Sequence, residues 1–335
     1  MQIEARCKAL VAELGLAAED DVKSVVPLTG GVASDIARVD LVDRTLCVKF
    51  ALPKLKVAAD WRAPVHRNAA EYAWLEVATQ AAPESAIELF GRSASAHGFA
   101  MEYLQGDEVY LWKDHLLKEA PDRNEASKVG NLLGKIHAYS ARADFDPSAF
   151  QNRDDFHALR IEPYLSFTRK QHSALNDPIS RLEDMLYSGQ QVLVHGDASP
   201  KNILFRHGAP YLLDAECATM GDASFDPSFC LNHLVLKSIH LPRSQQRLLR
   251  QVIAFWNAYA PHVSWEASDT LERRVCALLP ALMLARIDGK SPVEYLSDRN
   301  RDRVRRVAIP LIQSPPNTVE ELVATIAAPL SGDPA

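Results

Sequence analysis

The sequence predicts an α+β fold with two lobes, in which a small antiparallel sheet precedes a larger, mainly helical part. Strand-like alternation of apolar and polar residues is concentrated between residues 24 and 104. From residue 108 onward, apolar residues recur at helical spacing, interrupted by a strand-rich insert at 191–213. We therefore expect an N-terminal lobe over residues 1–103 and a C-terminal lobe over residues 104–335, long enough together to bury a substantial core.

The N-terminal part combines two helices with two groups of strands. Residues 3–17 and 66–79 each carry apolar side chains at helical spacing. Between them, residues 24–52 have the pattern of a strand, a glycine-containing turn and a hairpin of two further strands. Residues 86–104 return to strand-like segments, so these strands are expected to form one sheet.

The C-terminal part is expected to consist of helices around one short hairpin. Residues 124–138 place four apolar side chains on one helical face. Strands are expected at Gln191–Val194, Ile203–Phe205 and Tyr211–Leu213. The longest apolar run, 276–285, is too short to span a bilayer.

The amino-acid composition limits the classes of molecule that are expected as partners of this chain. The 335 residues include 37 Lys and Arg against 43 Asp and Glu, so a nucleic-acid polymer is not an expected partner. No signal peptide is visible and no membrane partner is expected, while no oligomeric state is predicted. An odd number of cysteines without a C-x-x-C pair predicts reduced thiols in a cytoplasmic protein. The cysteines are Cys7, Cys47, Cys217, Cys230 and Cys276.

The strongest chemical signal is the segment 195–202, which follows a predicted strand. Asp197 lies five residues before Asn202, and Asp214 follows 17 residues after Asp197, in an Asp-x-Glu motif with Glu216. Protein kinases use this layout, with one Asp beside the acceptor hydroxyl and an Asn and a further Asp on the metal. Mg²⁺ prefers carboxylate and amide oxygens. The spacing therefore predicts Asp197 as the catalytic residue and Asn202, Asp214 and Glu216 as Mg²⁺ ligands.

Residues suited to a nucleotide occur in the matching order in the N-terminal lobe. Gly30 and Gly31 lie in a turn between strands, with Ser34 close behind, where backbone N–H groups could approach phosphates. Lys49 lies on the third predicted strand and Glu71 on the following helix. A pair between these two side chains would direct the ammonium group at the α- and β-phosphates of ATP.

The segment between the lobes is expected to act as a hinge, where the backbone of Glu102 and Leu104 would hydrogen-bond adenine. Taken singly, each of these residues is more often a solvated charge or part of a connecting turn, and an isolated His-Gly-Asp is more often a capped turn. His195 is expected to brace its loop rather than to catalyse. The shared order of the motifs makes coincidence improbable, so ATP and Mg²⁺ are the expected cofactors.

These motifs resemble those of the protein-kinase-like small-molecule phosphotransferases, the superfamily of aminoglycoside phosphotransferases and choline kinases, over residues 24–310. Three stretches are most similar to the 5-methylthioribose kinases: Val48–Pro53, Asp214–Glu216 and Gly221–Asp226. The resemblance implies a protein-kinase-like fold and transfer of a γ-phosphoryl group to a hydroxyl of a small, sugar-like acceptor. It implies that Lys49 contacts the phosphates, and that Asp226 braces the loop that carries the metal ligands.

The sequence leaves more than one alternative open for the identity of the acceptor. Residues 241–310 hold 12 basic and 7 acidic residues, which favours a neutral or anionic acceptor over a polycationic aminoglycoside, the first alternative. The arginines of 299–306 are expected on a solvated helix face. Arg286 interrupts an apolar run where those kinases carry two adjacent arginines, so it is expected to contact the substrate or to pair with an acid. The alternative of another class is a nucleotide-binding pseudokinase or regulatory module.

Overall fold

A computed structural model describes residues 3–29, 34–54 and 64–330, so Gly30 and Gly31 of the expected phosphate-binding turn lie outside the described residues. The N-terminal sheet consists of β1 (Ser24–Pro27), β2 (Ser34–Asp40), β3 (Thr45–Ala51), β4 (Leu89–Ser93) and β5 (Gly98–Glu102). It is antiparallel throughout, in the order β1-β2-β3-β5-β4. The strands predicted in this part are confirmed apart from their ends.

Alternation along β3 directs its side chains to two different helices. Val48 and Phe50 are fully buried in the core beneath α1 (Ile3–Glu13). Lys49 lies on the opposite face, which is covered by α2 (Arg67–Ala81). The predicted first helix is four residues too long, because Gly15 adopts a left-handed φ of +68° shortly after Glu13.

The larger part of the described chain is mainly helical, as predicted. Its helices are α3 (Trp112–Leu117), α4 (Glu125–Ser140), α5 (Arg153–Phe156), α6 (Phe167–Gln171), α7 (Asn176–Ser188), α8 (Phe225–His240), α9 (Gln245–Tyr259), α10 (Ser268–Asp288), α11 (Asp298–Gln313) and α12 (Val319–Leu330). Between α5 and α6 the chain continues as a π-helix over His157–Ser166. The division into lobes at residues 103 and 104 stays a prediction.

Short strands within the helical part hold the two loops that carry the acidic motifs. They are β6 (Tyr110–Leu111), β7 (Val192–Val194), β8 (Ile203–Arg206), β9 (Ala209–Leu212) and β10 (Thr219–Gly221). β7 pairs with β10, and β8 pairs with both β6 and β9. The sequence did not predict β6 and β10, because strands of two and three residues are too short to show alternation and these two, unlike β7, are not marked by a run of β-branched and apolar residues.

Two further expectations are tested by burial. All five cysteines are buried and free, which confirms the prediction of reduced thiols. The solvated face expected for the arginines of α11 is only partly correct, because Arg303 is buried and Arg305 bonds to Asp288 as well as to Asp302. None of the helices in the described ranges has both the length and the apolar character needed to cross a membrane.

Candidate active site

The loop after β7 is held in shape from two sides. The carboxylate of Asp226 accepts hydrogen bonds from the backbone N–H groups of His195, at 2.6 Å, and Gly196, at 3.0 Å. His195 Nδ1 accepts from the N–H of Asp197 at 3.1 Å, and burial lowers the pKa of His195, so the ring is neutral. The bracing role predicted for His195 is confirmed. Asp226 also braces a loop, but it is the loop of Asp197 rather than that of Asp214.

Gly196 is required by the backbone of this loop. Its φ is +78°, and a Cβ atom there would lie 2.8 Å from the Cβ of Cys217. Only glycine adopts this conformation without strain and leaves room for the neighbouring chain. The tight turn at Gly196 thereby determines the position of the neighbouring Asp197.

Asp197 is 4% exposed and lies between two cations. Its Oδ2 atom is 3.0 Å from an Arg160 nitrogen and 3.1 Å from Lys201 Nζ. Burial would raise the pKa of Asp197, but the charges of Lys201 and Arg160 outweigh it and hold that pKa below its usual range. Asp197 is therefore ionised at neutral pH and presents a carboxylate that is already partly neutralised.

Lys49 joins the sheet to the helical part. Its ammonium group lies 2.7 Å from Glu71 Oε1 and also bonds to the carboxylate of Asp214. Burial alone would lower the pKa of Lys49, but Asp214 and Glu71 outweigh it and raise that pKa. The predicted pair between Lys49 and Glu71 is therefore present, with Asp214 as a second partner.

The three proposed metal ligands have different hydrogen-bond partners in the described chain. Asn202 Nδ2 donates to the backbone oxygen of Asp197 at 3.1 Å, which leaves its amide oxygen without a hydrogen bond in the described chain. Asp214 bonds to Lys49 in a left-handed conformation, with φ of +68°. Glu216 instead bonds to Arg67 Nε at 2.8 Å. No three His, Cys, Asp or Glu residues of the described ranges converge as a metal site.

A cavity of about 290 Å³ brings the expected nucleotide-binding groups together between the sheet and the helical part. Its polar lining consists of Thr29, Lys49, Glu71, Glu102, Lys201, Asn202 and Asp214. Its remaining lining is apolar or aromatic, namely Leu28, Ile36, Cys47, Met101, Tyr103, Leu104, Leu111, Leu204 and Leu213. Apolar walls suit a purine ring, and the cations suit phosphates.

The expected hinge lies at one wall of this cavity. The strand β5 ends at Glu102, two residues earlier than predicted, and the N–H of Leu104 has no hydrogen-bond partner in the described chain. That N–H group is therefore able to serve a base in the cavity. The side chain of Glu102 bonds to Arg206 of β8 and so ties the hinge to the helical part.

Two other predicted site residues lie outside this lining. Ser34 is 3% exposed at the beginning of β2, opposite Ala51, and is not among the described residues that line the cavity. Arg286 is 8% exposed on α10, where it bonds to the hydroxyl groups of Tyr164, at 3.2 Å, and Ser291, at 2.9 Å. Of the two alternatives expected for Arg286, pairing with an acid is not found among the described residues, and contact with the substrate stays a prediction.

Three residues that contact the acidic motifs were assigned no role from the sequence. They are Arg67, Arg160 and Lys201. The only available signal was the position of Lys201, four residues after Asp197 within the motif itself. The two arginines reach the site from distant segments, and nothing in the local sequence distinguishes them from surface arginines.

Comparison with known proteins places these features in a family. Residues 24–259 match the phosphotransferase enzyme family. A methylthioribose kinase of Citrobacter koseri is 21% identical over 252 residues, covering 64% of this chain and 62% of the relative. One of Cronobacter sakazakii is 21% identical over 253 residues, with the same coverage. The chain thus matches about three fifths of the length of these curated relatives.

Solved structures share the fold. A choline/ethanolamine kinase family protein from Mesorhizobium loti superposes with a TM-score of 0.56 at 16% identity, covering 97% of this chain and 98% of that chain. An amicoumacin kinase in complex with AMP-PNP and Ca²⁺ gives a TM-score of 0.56 at 12% identity, covering 96% and 100%. These likenesses confirm the predicted kinase-like architecture. Because the family match covers well over half of its residues, the chain belongs to the phosphotransferase enzyme family.

Proposed function

We propose that this chain is a kinase that transfers the γ-phosphoryl group of ATP, with Mg²⁺, to a hydroxyl group of a small, sugar-like metabolite in the cytoplasm. The observation that carries the proposal is one cavity lined by Lys49, Asn202, Asp214 and Lys201, with the last bonded to the carboxylate of Asp197. Family membership supports phosphoryl transfer. The similarity to methylthioribose kinases supports a sugar-like acceptor.

The nucleotide is proposed to lie with its base at the hinge and its phosphates near Lys49. The N–H of Leu104 would donate to the base, while the apolar side chains of the cavity cover its faces. Glu71 holds the ammonium group of Lys49 in place, so this charge faces the phosphates without reorganising. The phosphate-binding turn would supply further N–H donors.

Hard oxygen donors in the site fit Mg²⁺, which would neutralise phosphate charge when bound. Asp214 and Asn202 are proposed to hold it, joined by Glu216. Burial would raise the pKa of Asp214, but Lys49 and Lys201 outweigh it, so this carboxylate is ionised. Glu216 would have to share its carboxylate between the metal and Arg67.

Asp197 is proposed to orient the acceptor and to receive its proton. The hydroxyl oxygen forms a bond to the γ-phosphorus while the bond from that phosphorus to the β–γ bridging oxygen breaks. The hydroxyl proton passes to the carboxylate of Asp197. Because the pKa of Asp197 is low, this transfer is expected late, after bond formation has made the hydroxyl acidic. Arg160 keeps the carboxylate oriented.

The decisive variant is Asp197→Asn, which keeps the shape of the side chain and removes its ability to take a proton. We expect turnover to fall about 10²–10⁴-fold, with the Kd for Mg·ATP unchanged. Asp177→Asn, on the exposed surface of α7, is the matched control. Acceptors to screen are methylthioribose, other pentoses, choline-like alcohols and aminoglycosides, with ADP release as the readout.

Each outcome of the screen separates the candidates. Full activity of Asp197→Asn contradicts the proposal. Tight binding of Mg·ATP without turnover of any acceptor supports a pseudokinase or regulatory module instead. Preferential turnover of aminoglycosides supports the first alternative and contradicts a sugar-like acceptor.

A further inference from the structure

A second, smaller cavity lies beside Lys201, on the side of the helical part. Its volume is about 40 Å³, room for about three water molecules. The phenol of Tyr295 lines it, and its charged side chains and histidine are Lys113, Lys201, His233, Lys237, Arg286 and Glu294. The single acid of this set, Glu294, is already bonded to Lys113 at 2.5 Å. The cavity therefore presents several cations and no free carboxylate.

Lys237 is the least compensated of these cations. Its side chain is 1% exposed, yet it makes no hydrogen bond or ion pair with any described residue. Its ammonium group lies only over the ring of Tyr295, 5.0 Å from the centroid. Burial, together with the charges of Lys113 and Arg286, lowers the pKa of Lys237 to about 7.

Two other residues of this cavity, Arg286 and His233, also lack a carboxylate partner in the described chain. Arg286 bonds only to neutral oxygens, and its Nε atom is buried without a hydrogen-bond partner in the described chain. His233 lies one helical turn before Lys237 on α8, so both side chains reach the same cavity. Among the described residues, the ring of His233 makes an aromatic contact with Phe229 and no hydrogen bond.

Three other buried cations of the described chain differ from Lys237 and Arg286. Lys49, Arg67 and Arg160 are each bonded to at least one carboxylate. A purely structural role would supply Lys237 and Arg286 with such a partner as well, because an unpaired buried charge is costly. Their missing partner is accounted for if an anion from solution completes the site.

We propose that this cavity binds an anionic group, a carboxylate or a phosphate, of the same acceptor whose hydroxyl is held by Asp197. The inference rests on the proposed function, because it names the class of acceptor for that reaction. Lys201 provides the connection, since it lines both cavities and lies 3.1 Å from Asp197. The cavity has room for the anionic group alone, so the carbon skeleton would extend towards Asp197.

Matched acceptors test this specificity. Glycerol, glycerate and glycerol 3-phosphate form one series, and ribose, ribonate and ribose 5-phosphate form another. We expect the KM of an anionic member to be about tenfold or more below that of its neutral relative. Preference for the carboxylate or the phosphate member identifies the group. A neutral or cationic acceptor with the higher kcat/KM would overturn the inference.

Lys237→Met is the corresponding variant. It should raise the KM for the anionic member about tenfold with little change in kcat. Lys135→Met, which removes an exposed lysine bonded to Glu84, should leave both constants unchanged. If Lys237 were needed only for folding, the Lys237→Met protein would be less stable than the wild type. Removing an unpaired buried charge should instead raise the Tm of the free protein.

A binding measurement decides the question even without a known acceptor. Inorganic phosphate is added in the presence of saturating Mg·ADP, which occupies the nucleotide site, and Tm is followed. Phosphate should stabilise the wild type and Lys135→Met, but not Lys237→Met. Equal stabilisation of all three proteins, or of none, contradicts the anion site. If no acceptor is phosphorylated, that result would count against the proposed function but not against the anion site.

Discussion

Arg67 offers a sharp test of how the acidic loop is held. Its guanidinium group donates to Glu216 Oε2 and to the backbone oxygens of Leu52 and Pro64, each at 2.8 Å. Arg67 is 1% exposed and Glu216 is 8% exposed. In Arg67→Met the side chain keeps an unbranched apolar stem but loses its guanidinium group, so Glu216 remains as a buried carboxylate without this partner.

The expected cost follows from that burial. Removing one partner of a buried ion pair destabilises a protein by about 3–5 kcal/mol, because the remaining charge is uncompensated. Burial, and the charge of Asp214, already raise the pKa of Glu216, and loss of Arg67 raises it further. Protonation of Glu216 at low pH relieves the charge. The cost of Arg67→Met should therefore be larger at pH 8 than at pH 5.5.

A double-mutant cycle measures this coupling directly. Urea unfolding at pH 8 gives the free energies of the wild type, Arg67→Met, Glu216→Gln and the double variant. Because the double variant removes both members of this ion pair, it should recover about 2 kcal/mol or more relative to the sum of the single costs. Single costs that add within about 0.5 kcal/mol, or a cost below about 1 kcal/mol for Arg67→Met, would refute the reasoning.

Two further predictions concern the loop and the second cavity. Gly196→Ala should destabilise the protein by more than about 1 kcal/mol and abolish turnover, because the new Cβ would meet Cys217. Calorimetry measures the stability and the ADP-release assay measures the turnover. An unchanged Tm would contradict this prediction. The pKa of about 7 predicts that, as pH rises from 6 to 8, Lys237 loses its charge and the KM for an anionic acceptor increases. A flat KM profile in that range would count against this. The groups with the largest electrostatic effect on Lys237 are Lys113, Arg286, Cys230 and Glu294. His233 and His240 also interact with its charge, and the ring of Tyr295 faces it.

Much of the fold could be predicted because it depends on local pattern. Strand β2 alternates between apolar and polar residues, β3 is a short run of mainly apolar residues, and α4 repeats its apolar positions over 16 residues, so all three can be recognised in the sequence. Strand β10, with three residues, has no readable period and forms because β7 lies beside it. The end of β5 was predicted too late, because the residue at which a strand stops pairing depends on the strands beside it.

The candidate site divides in the same way. Lys49 and Glu71 were found from their order along the chain, and the structure brings them within 2.7 Å. Arg286 was singled out correctly as an unusual charge in an apolar run, but its partners were not foreseen. The regional charge of 241–310 favoured a neutral or anionic acceptor over a cationic one, yet Arg286 alone among the basic residues of that block lines the second cavity. The other cations come from elsewhere in the chain.

The sequence by itself determined the residue types of the phosphoryl-transfer motifs and their order, because adjacent residues and strand–loop–strand patterns are local properties. Only the tertiary structure decided which charges meet. Arg67 reaches Glu216 across 149 residues, whereas Lys237 is buried without an ion pair to any described residue. The physical reason is that the energy of a buried charge depends on distances set by packing between elements, and no spacing along one chain encodes those distances.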